Sequence, residues 1–273
     1  MNWLRRSDFA FYKGGERALK YYYDSLKKRK EEYPYKYKKY NIKPLQKEGF
    51  HIFQDVFSKK QIESLKSEFD FCVDNNKINL SDEYFTIIDS PLLNSKTSFE
   101  IATSDIIYDI SSQFFNCVPS LCTQNFRLSK INSGEPKATQ LFHCDENSIK
   151  FIKFFIYLND VGIDDGPLTY VRGSNSKKPV NHLSKYRWHE DEIRDIYGNN
   201  IVYLTASAGD MIIADTTGFH RGTKPLNKER SMLTLNYVIH EEKNINTRPK
   251  ARKEWVNRLP EHKKPLFNFM ELV

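Results

Sequence analysis

Short apolar runs separated by turns constrain the fold of this 273-residue chain more than any other feature. Residues 150–159 are dense in aromatic and β-branched side chains, and a second such run spans residues 168–174. Between them, residues 164–167 read Asp-Asp-Gly-Pro, which is a turn signal. A Gly-Asp pair then leads into a third run at residues 211–215. Runs of this length and composition predict strands, so we expect a β core.

Three side chains that can bind a metal border these runs. His143 and Asp145 are two residues apart, so in an extended strand both point to one face while Cys144 points away. His220 follows the third run and can supply a second imidazole. Two histidines and one carboxylate can hold Fe(II) on one face and leave three coordination positions open. The His-x-Asp triplet alone is a weak signal, since such residues also occur in surface turns and as hydrogen-bonded core histidines.

Arg230 lies ten residues beyond His220, at the start of another apolar run. A guanidinium binds a carboxylate through two parallel, charge-assisted hydrogen bonds. Together with the three candidate ligands, Arg230 therefore indicates an oxygenase that also holds a dicarboxylic acid by its far end.

Taken in order, these motifs resemble the phytanoyl-CoA dioxygenase (PhyH-like) family of Fe(II)- and 2-oxoglutarate-dependent oxygenases. The resemblance runs from about residue 48 to about residue 238 and rests on residues 49–58, His143 with Asp145, residues 158–168, Gly173 with Ser174, Gly209 with Asp210, His220 and Arg230. It implies a mainly β fold with flanking helices, a double-stranded β-helix (a jelly-roll or cupin-like barrel) with N-terminal helices packed on it. It says nothing about the substrate, because function resides in the pocket rather than in the fold.

The resemblance also implies roles for residues. His143, Asp145 and His220 would be the catalytic metal ligands, and Arg230 would bind 2-oxoglutarate. The implied cofactors are Fe(II), 2-oxoglutarate and O₂, with ascorbate as a supporting reductant. The implied reaction is hydroxylation of a small or medium-sized metabolite, with release of succinate and CO₂. The aspartate favours hydroxylation, since related halogenases have a small residue in its place.

Two departures from the family pattern affect these assignments. Residues 172–175 read Arg-Gly-Ser-Asn where the family usually has Pro-Gly-Ser-His, which alters a turn and no ligand. The second position after the distal histidine is often a hydroxyl residue in the family and is Gly222 here. We therefore expect its neighbour Thr223 to be a substitute contact to the 2-oxoglutarate carboxylate.

We expect one oxygenase domain over residues 1–273. Its parts are a basic, tyrosine- and lysine-rich extension (1–43), a first strand with supporting helices (44–121), the double-stranded β-helix core (122–240) and a C-terminal tail (241–273). The first strand is predicted at residues 50–56. Ser58 and Gln61 form a capping box that predicts a helix from Lys59, and a second helix is predicted from residue 104 to about 115. Residues 76–103 are polar, and we expect them to be irregular and to border the active-site mouth.

Residues 175–200 interrupt the core, and an insert of this length in a compact β fold is usually functional or mobile. We interpret it as a substrate lid in which Tyr186, Arg187, Trp188 and His189 are candidates for substrate contact. Surface packing is an equally good interpretation of each. Lys153 either lines the pocket and attracts an acidic group or faces solvent, and of the two we favour solvent.

The net charge of +7 is concentrated near the N-terminus, where residues 1–43 hold thirteen basic and five acidic residues. Cations interleaved with tyrosines can bind nucleic acid or an anionic surface. The same pattern fits an amphipathic helix that ends near Pro34, with tyrosines packed on the core and lysines in water. We favour the helix, because Glu31, Glu32 and Pro34 interrupt a cationic track, and so expect no nucleic-acid partner.

Composition also bears on location. The four cysteines form no Cys-x-x-Cys pair and no disulfide framework, which fits a reducing compartment. No apolar run approaches the ~18–20 residues of a membrane span, and the first residues lack the apolar stretch of a signal peptide. We expect a cytoplasmic protein with a small-molecule substrate, and the sequence does not indicate an oligomeric state.

Two other functions fit parts of the sequence. A non-catalytic β-barrel binding protein could use the basic N-terminus to engage an anionic partner, but a decayed site is expected to lose at least one of its four residues. A cupin-like dioxygenase that works without 2-oxoglutarate would leave Arg230 unexplained. The 2-oxoglutarate-dependent oxygenase is therefore the leading interpretation.

Overall fold

The structure is a computed structural model that describes residues 3–35, 38–75, 77–145, 148–179, 185–241 and 248–273, with side chains from residue 15 onward. Its helices are α1 (Arg6–Glu32), α2 (Lys43–Glu48), α3 (Lys59–Asp74), α4 (Lys96–Ala102), α5 (Asp105–Phe115), α6 (Glu190–Tyr197) and α7 (Lys253–Asn257). Its strands are β1 (Trp3–Arg5), β2 (Phe50–Phe53), β3 (Leu80–Ser81), β4 (Phe85–Asp89), β5 (Ser120–Ser129), β6 (Ile152–Tyr157), β7 (Leu168–Val171), β8 (Lys177–Pro179), β9 (Ile201–Leu204), β10 (Met211–Ala214), β11 (His220–Gly222), β12 (Arg230–Val238), β13 (Lys250–Ala251) and β14 (Glu271–Leu272).

Two facing antiparallel sheets form the centre of the molecule. The long sheet has seven strands in the order β2-β10-β6-β12-β5-β4-β3, and the short sheet has three in the order β11-β7-β9. This confirms a mainly β fold with flanking helices. The two sheets are separate hydrogen-bonded ladders, so the described strands do not close into one continuous barrel. A non-sequential strand order brings segments distant in sequence side by side, which is how a site can be assembled from residues far apart in the chain.

The two faces of the long sheet have different neighbours because side chains alternate along a strand. On one face Phe126, Phe154 and Leu233 are fully buried and pack in a cluster that includes helical residues such as Leu65 and Ile107. Burying each such side chain stabilises the fold by about 1.5–3 kcal/mol. The opposite face turns towards the short sheet, and part of it is sealed by Phe155, Tyr157 and Ile212 packed with Tyr170 and Leu168. The rest of this inner face holds the site described below.

The structure confirms the two predicted helices and the residues at which they start. The Ser58 side chain accepts a hydrogen bond from the backbone N–H of Gln61, and the Gln61 side chain accepts one from the backbone N–H of Ser58. Helix α3 therefore begins with the expected capping box. Helix α5 follows Ser104 and ends at Phe115. The first strand is shorter than predicted and stops at Phe53, because Asp55 adopts a positive φ of 53° that strand backbone does not allow.

The expectation of irregular structure over residues 76–103 is wrong. Residue 76 lies outside the described residues, and the segment from residue 77 contains β3, β4 and α4. Strand β4 pairs with β5 over five residues, and β2 pairs with β10, so strands that precede residue 122 belong to the long sheet. The β-branched and aromatic run at residues 85–88 was the signal for β4.

The N-terminal helix α1 packs on the core through Arg29. This side chain is 5% exposed, and it donates to the carbonyl of Val118 at 2.5 Å, to Ser120 Oγ at 2.6 Å and to the carbonyl of Pro265 at 2.9 Å. Tyr22 on the same helix is buried. At least this one cation is therefore structural. Within the part of the chain that the structure describes, no helix combines the length and the hydropathy needed to cross a membrane.

Candidate metal centre

Backbone pairing brings the two predicted histidine ligands together. His143 and His220 face each other in an antiparallel bridge, in which each amide donates to the other's carbonyl at 2.9 Å. The Asp145 amide donates to the carbonyl of Thr216 at 2.9 Å, which ties the third candidate to the turn that precedes β11. The three side chains are thus positioned by backbone hydrogen bonds.

The three side chains form a compact cluster. One ligand atom from each residue lies within 4.8 Å of the other two. Asp145 Oδ1 is 3.8 Å from His143 Nε2, and Asp145 Oδ2 is 3.6 Å from His220 Nε2. Ligand atoms about 2.1 Å from one ion lie roughly 3 Å apart when they meet it at right angles, so a small inward movement would suffice. The donor set of two imidazoles and one carboxylate fits Fe(II).

The imidazoles are oriented by bonds on their far side. His143 Nδ1 lies 2.9 Å from the carbonyl of Leu141, and His220 Nδ1 lies 3.0 Å from the carbonyl of Gly218. A carbonyl only accepts, so each Nδ1 carries the proton and each Nε2 keeps a free lone pair directed at the cluster. This is the tautomer that a metal requires.

Electrostatics keep the ligands in their metal-binding protonation states. Burial lowers the pKa of His143 to about 3, with a further contribution from His220, and burial also lowers the pKa of His220. Burial by itself would raise the pKa of Asp145, but the Lys153 ammonium and the two imidazoles outweigh it and hold this pKa below its usual range. At neutral pH the site therefore presents two neutral imidazoles and one carboxylate, as a metal needs.

Lys153 faces the site and not the solvent, so the interpretation that we favoured from the sequence is wrong. Its Nζ lies 2.6 Å from Asp145 Oδ2, and the two side chains are 24% and 19% exposed. In the long sheet Lys153 pairs with Asn236 of β12 and with Ala214 of β10, which puts it on the inner face. Alternation in β6 fixes this direction once the register is known.

Arg230 is a buried cation on the same inner face. Its side chain is 1% exposed, it donates to the carbonyl of Gly166, and it donates to Ser129 Oγ at 2.9 Å. Its Nε is buried without a hydrogen-bond partner among the described residues. No carboxylate of the described chain pairs with it. A buried guanidinium without a counter-ion is costly, which indicates a site for an anionic ligand.

The guanidinium of Arg230 also lies close to the metal ligands. A Cβ added at Gly222 would be 2.7 Å from Arg230 Nη2, so the guanidinium rests against this glycine. Gly222 is two residues beyond His220 on β11, and two residues of strand span about 7 Å. The guanidinium of Arg230 therefore lies beside the strand that carries His220, close enough for a small dicarboxylic acid to contact both the cluster and Arg230.

Comparisons with known proteins identify the family of this chain. The family model described as Phytanoyl-CoA dioxygenase (PhyH) matches residues 45–230. The chain belongs to the PhyH family. A search among curated proteins gave no match.

Solved structures share the fold of this PhyH chain at low sequence identity. HygX from Streptomyces hygroscopicus, with nickel and 2-oxoglutarate bound, is 14% identical over 72% of this chain and 86% of its own, with a TM-score of 0.57. The epimerase SnoN, in complex with Fe³⁺, α-ketoglutarate and nogalamycin RO, is 15% identical over 79% and 84%, with a TM-score of 0.59. EctD from S. alaskensis, with 2-oxoglutarate and 5-hydroxyectoine, is 16% identical over 71% and 73%, with a TM-score of 0.58.

Thr223 points away from the site in this PhyH chain. Its Oγ1 lies 2.6 Å from Thr169 Oγ1, and Thr169 pairs with Arg221, which alternates with the inward-facing His220 and Gly222. The structure therefore argues against Thr223 as the substitute contact to 2-oxoglutarate. The close approach of Arg230 explains why position 222 is a glycine.

The insert of this PhyH chain is packed on the core in its second half, while residues 180–184 lie outside the described residues. Trp188 is 4% exposed, pairs with Phe142 and contacts the ring of Phe219. Phe142 and Phe219 each adjoin a metal-ligating histidine and point to the opposite face. Trp188 therefore packs behind the site, which contradicts its assignment as a substrate contact.

The other lid candidates lie at the surface. Tyr186 is 62% exposed, and Arg187 and His189 are also exposed. Burial is the main cause of the lowered pKa of both His143 and His220, and the charge of Arg187 adds the smallest contribution, so Arg187 lies within electrostatic range of the site. Of the four candidates, Arg187 is the one that the structure relates to the metal centre.

Sequence analysis missed Arg127. It lies on β5 between Asn125 and Ser129, and the alternation in β5 puts all three on the inner face. Its guanidinium is 4.4 Å from the centroid of the Phe85 ring, and its Nε is buried without a partner among the described residues. The polar residues at every second position of residues 123–129 were the available signal.

Proposed function

We propose that this protein is an Fe(II)- and 2-oxoglutarate-dependent dioxygenase that hydroxylates a small or medium-sized metabolite, with release of succinate and CO₂. One observation carries the proposal. The three-residue ligand cluster and the buried guanidinium of Arg230, which forms no ion pair with a carboxylate of the described residues, share the inner face of the sheets, and the guanidinium rests against Gly222, two residues beyond His220 on β11. The three-residue cluster alone is compatible with many kinds of metal site. The buried guanidinium of Arg230 also indicates that a dicarboxylic acid binds.

The residues present fit both cofactors. His143, Asp145 and His220 would hold the iron through Nε2, a carboxylate oxygen and Nε2, which leaves coordination positions for 2-oxoglutarate and O₂. Arg230 would bind the distal carboxylate of 2-oxoglutarate and so gain the counter-ion that it lacks. When bound, the iron and 2-oxoglutarate supply the oxidation of the substrate C–H bond by O₂.

The protein's own side chains prepare this chemistry. The Leu141 and Gly218 carbonyls orient the imidazoles, and Lys153 keeps Asp145 ionised and fixes its direction. The cluster containing Phe155, Tyr157 and Tyr170 seals the inner space next to Arg230 and excludes water. A dry, preorganised site strengthens the charge interactions on which binding of the cosubstrate depends.

Structural neighbours support the cofactors more than the reaction. HygX and EctD contain 2-oxoglutarate in their structures, while SnoN is described as an epimerase. Asp145 occupies the carboxylate position of the ligand set, which favours hydroxylation over halogenation, and we propose hydroxylation as the reaction to be tested. None of the four cysteines, all of which lie among the described residues and are buried, forms a disulfide, which fits the cytoplasmic location that we propose.

Anaerobic titration with Fe(II) and then 2-oxoglutarate tests the proposal. We expect a weak visible charge-transfer band that is absent in His143→Ala and requires much more 2-oxoglutarate in Arg230→Ala. In air, the wild type is expected to release succinate slowly without added substrate. An iron-loaded wild type that shows neither the band nor succinate would refute the proposal, and a product heavier by one oxygen atom in a metabolite extract would establish hydroxylation.

A further inference from the structure

Two cations at the site are left without a role by the proposed function. Arg230 is assigned to 2-oxoglutarate and Lys153 is paired with Asp145. Arg127 and Arg187 have neither assignment. Arg127 stacks on the Phe85 ring and Arg187 donates to the carbonyl of Tyr186 at 3.2 Å, but neither forms an ion pair with a carboxylate in the described part of the chain. Cations near a metal site that have no counter-ion raise the local positive potential and attract anions.

Arg127 is held on the inner face beside the site. It pairs with Met232 of β12, next to the pair formed by Ser129 and Arg230. Ser129 accepts a hydrogen bond from Arg230, which shows that this row of β5 faces the cosubstrate anchor. Charges on Arg230 and Asp145 both reach Arg127, so its guanidinium lies within electrostatic range of the cosubstrate anchor and of a metal ligand.

The setting of Arg127 suits anion binding. Burial lowers its pKa to about 10, so it stays protonated at neutral pH. The Phe85 ring lies 4.4 Å from the guanidinium carbon and restricts its orientation. The buried Nε has no hydrogen-bond acceptor among the described residues. The carboxylates of Asp82 and Asp89 raise its pKa, but neither is close enough to form an ion pair.

Arg187 approaches the site from the insert. It directly precedes Trp188, whose backbone pairs with Phe142 beside His143. Trp188 points to the buried cluster behind the ligands, so alternation at its isolated bridge with Phe142 turns the preceding residue, Arg187, towards the ligand side. Its charge reaches both histidine ligands. The side chain itself is exposed, which leaves it accessible to an incoming molecule.

We propose that the substrate carries a carboxylate or phosphate group, which is bound by Arg127 and Arg187 while the C–H bond to be oxidised faces the metal. This inference rests on the proposed function and names the class of its substrate. A guanidinium presents two parallel donors that fit either anion. Arg127 and Arg187 are specificity determinants in this scheme, separate from the 2-oxoglutarate anchor Arg230.

Anion binding to the loaded enzyme tests the proposal. The full-length protein is loaded with Mn(II) in place of Fe(II) and saturated with 2-oxoglutarate under anaerobic conditions. Inorganic phosphate is followed by ³¹P relaxation and acetate, in a separate series, by relaxation of its methyl protons. We expect saturable, metal-dependent relaxation for at least one anion, and the anion that binds more tightly identifies the group.

Variants locate the binding residues. We expect Arg127→Gln and Arg187→Gln each to weaken anion binding by at least about tenfold, which corresponds to about 1.4 kcal/mol, while the affinity for 2-oxoglutarate changes less than twofold. Arg172→Gln is the matched control, because Arg172 is a half-exposed arginine paired with Glu48. If Arg127→Gln does not fold, anion binding is measured with Arg187→Gln, whose position is exposed, and with the conservative variant Arg127→Lys.

The outcomes separate this inference from the proposed function. If 2-oxoglutarate does not bind to the metal-loaded wild type, the proposed function fails and this inference with it. If 2-oxoglutarate binds but neither anion does, or the anions bind equally well to both variants, the anionic substrate alone is overturned. If Arg127→Gln weakens 2-oxoglutarate and anion alike, Arg127 belongs to the cosubstrate site and the assignment is also overturned.

Discussion

Arg230 Nη2 lies against Gly222, so closely that an added Cβ would sit 2.7 Å from it. The contact links β11, which carries the candidate ligand His220, to β12, which begins at Arg230. It also explains why this chain has no side chain at position 222. The position of the Arg230 guanidinium and that of the candidate metal cluster are therefore coupled through one glycine.

Gly222→Ala is expected to weaken 2-oxoglutarate binding. The new methyl group must displace the guanidinium, which is fully buried and held by Ser129 and Gly166. Overpacking of this kind costs about 1–3 kcal/mol, so we expect a loss of affinity of about tenfold or more. Titration of the charge-transfer band measures it. Mn(II) affinity is the internal control, since His220 keeps its position, and unchanged 2-oxoglutarate affinity would contradict the predicted contact.

Lys153→Met is expected to destabilise the metal-free protein more than the metal-loaded one. Removing the ammonium leaves the largely buried carboxylate of Asp145 without its partner, which costs about 3 kcal/mol. A bound divalent cation replaces the lost charge and stabilises the folded state. Thermal unfolding with and without Mn(II) measures the difference. Lys185→Met, which removes the ion pair with Glu192 on the insert, is the control and should show no such metal-dependent recovery.

The stability of the metal-free protein is expected to fall as pH is lowered from 7 to 5. His143 has a pKa of about 3 in the folded state and about 6.5 in the unfolded chain. Across this window the unfolded chain binds more protons, so each such histidine lowers the free energy of unfolding by up to about 1.4 kcal/mol per pH unit. Denaturant unfolding at several pH values measures the slope. His143→Gln should flatten it, and an equal slope in wild type and variant would count against the buried neutral imidazole.

The sequence predicted the cluster of His143, Asp145 and His220 better than its surroundings. His143 and Asp145 were proposed because a spacing of two in a strand defines a shared face, and His220 and Arg230 were proposed through the order of motifs. The face of the sheet to which Lys153 points depends on how β6 is aligned with β12. No local sequence pattern specifies that alignment. For Arg127, the alternation of polar residues in β5 was a local signal for the face, but only the pairing of β5 with β12 brings it beside Arg230.

Local sequence patterns also could not predict which residues the insert packs against. From the sequence alone, Trp188 fits a surface position and a substrate contact equally well. Its packing behind the site follows only from its backbone pairing with Phe142. Thr223 was chosen for its hydroxyl group, yet it lies three positions after His220, and an odd separation in a strand puts two side chains on opposite faces. A stricter use of strand periodicity would have excluded Thr223 from the sequence alone.

Glu190 forms an ion pair that holds the insert against β11, the strand that carries the candidate ligand His220. Its carboxylate pairs with Arg221, the neighbour of ligand His220, and with Arg194 of its own helix. The Arg221 side chain is only 10% exposed, so removing its partner leaves a buried charge unpaired. We expect Glu190→Gln to lower the free energy of unfolding by about 1–3 kcal/mol.

The loss should be concentrated in the insert, because α6 is held there by this pair and by burial of Ile193. Trypsin should cut after Arg187 and Arg194 faster in Glu190→Gln than in wild type, as mass spectrometry of timed digests would show. Asp191→Asn is the matched control, since Asp191 is an exposed acidic residue in the first turn of the same helix. Equal cleavage rates in the two variants would show that the insert is held by its apolar contacts alone and that the ion pair beside His220 contributes nothing to its position.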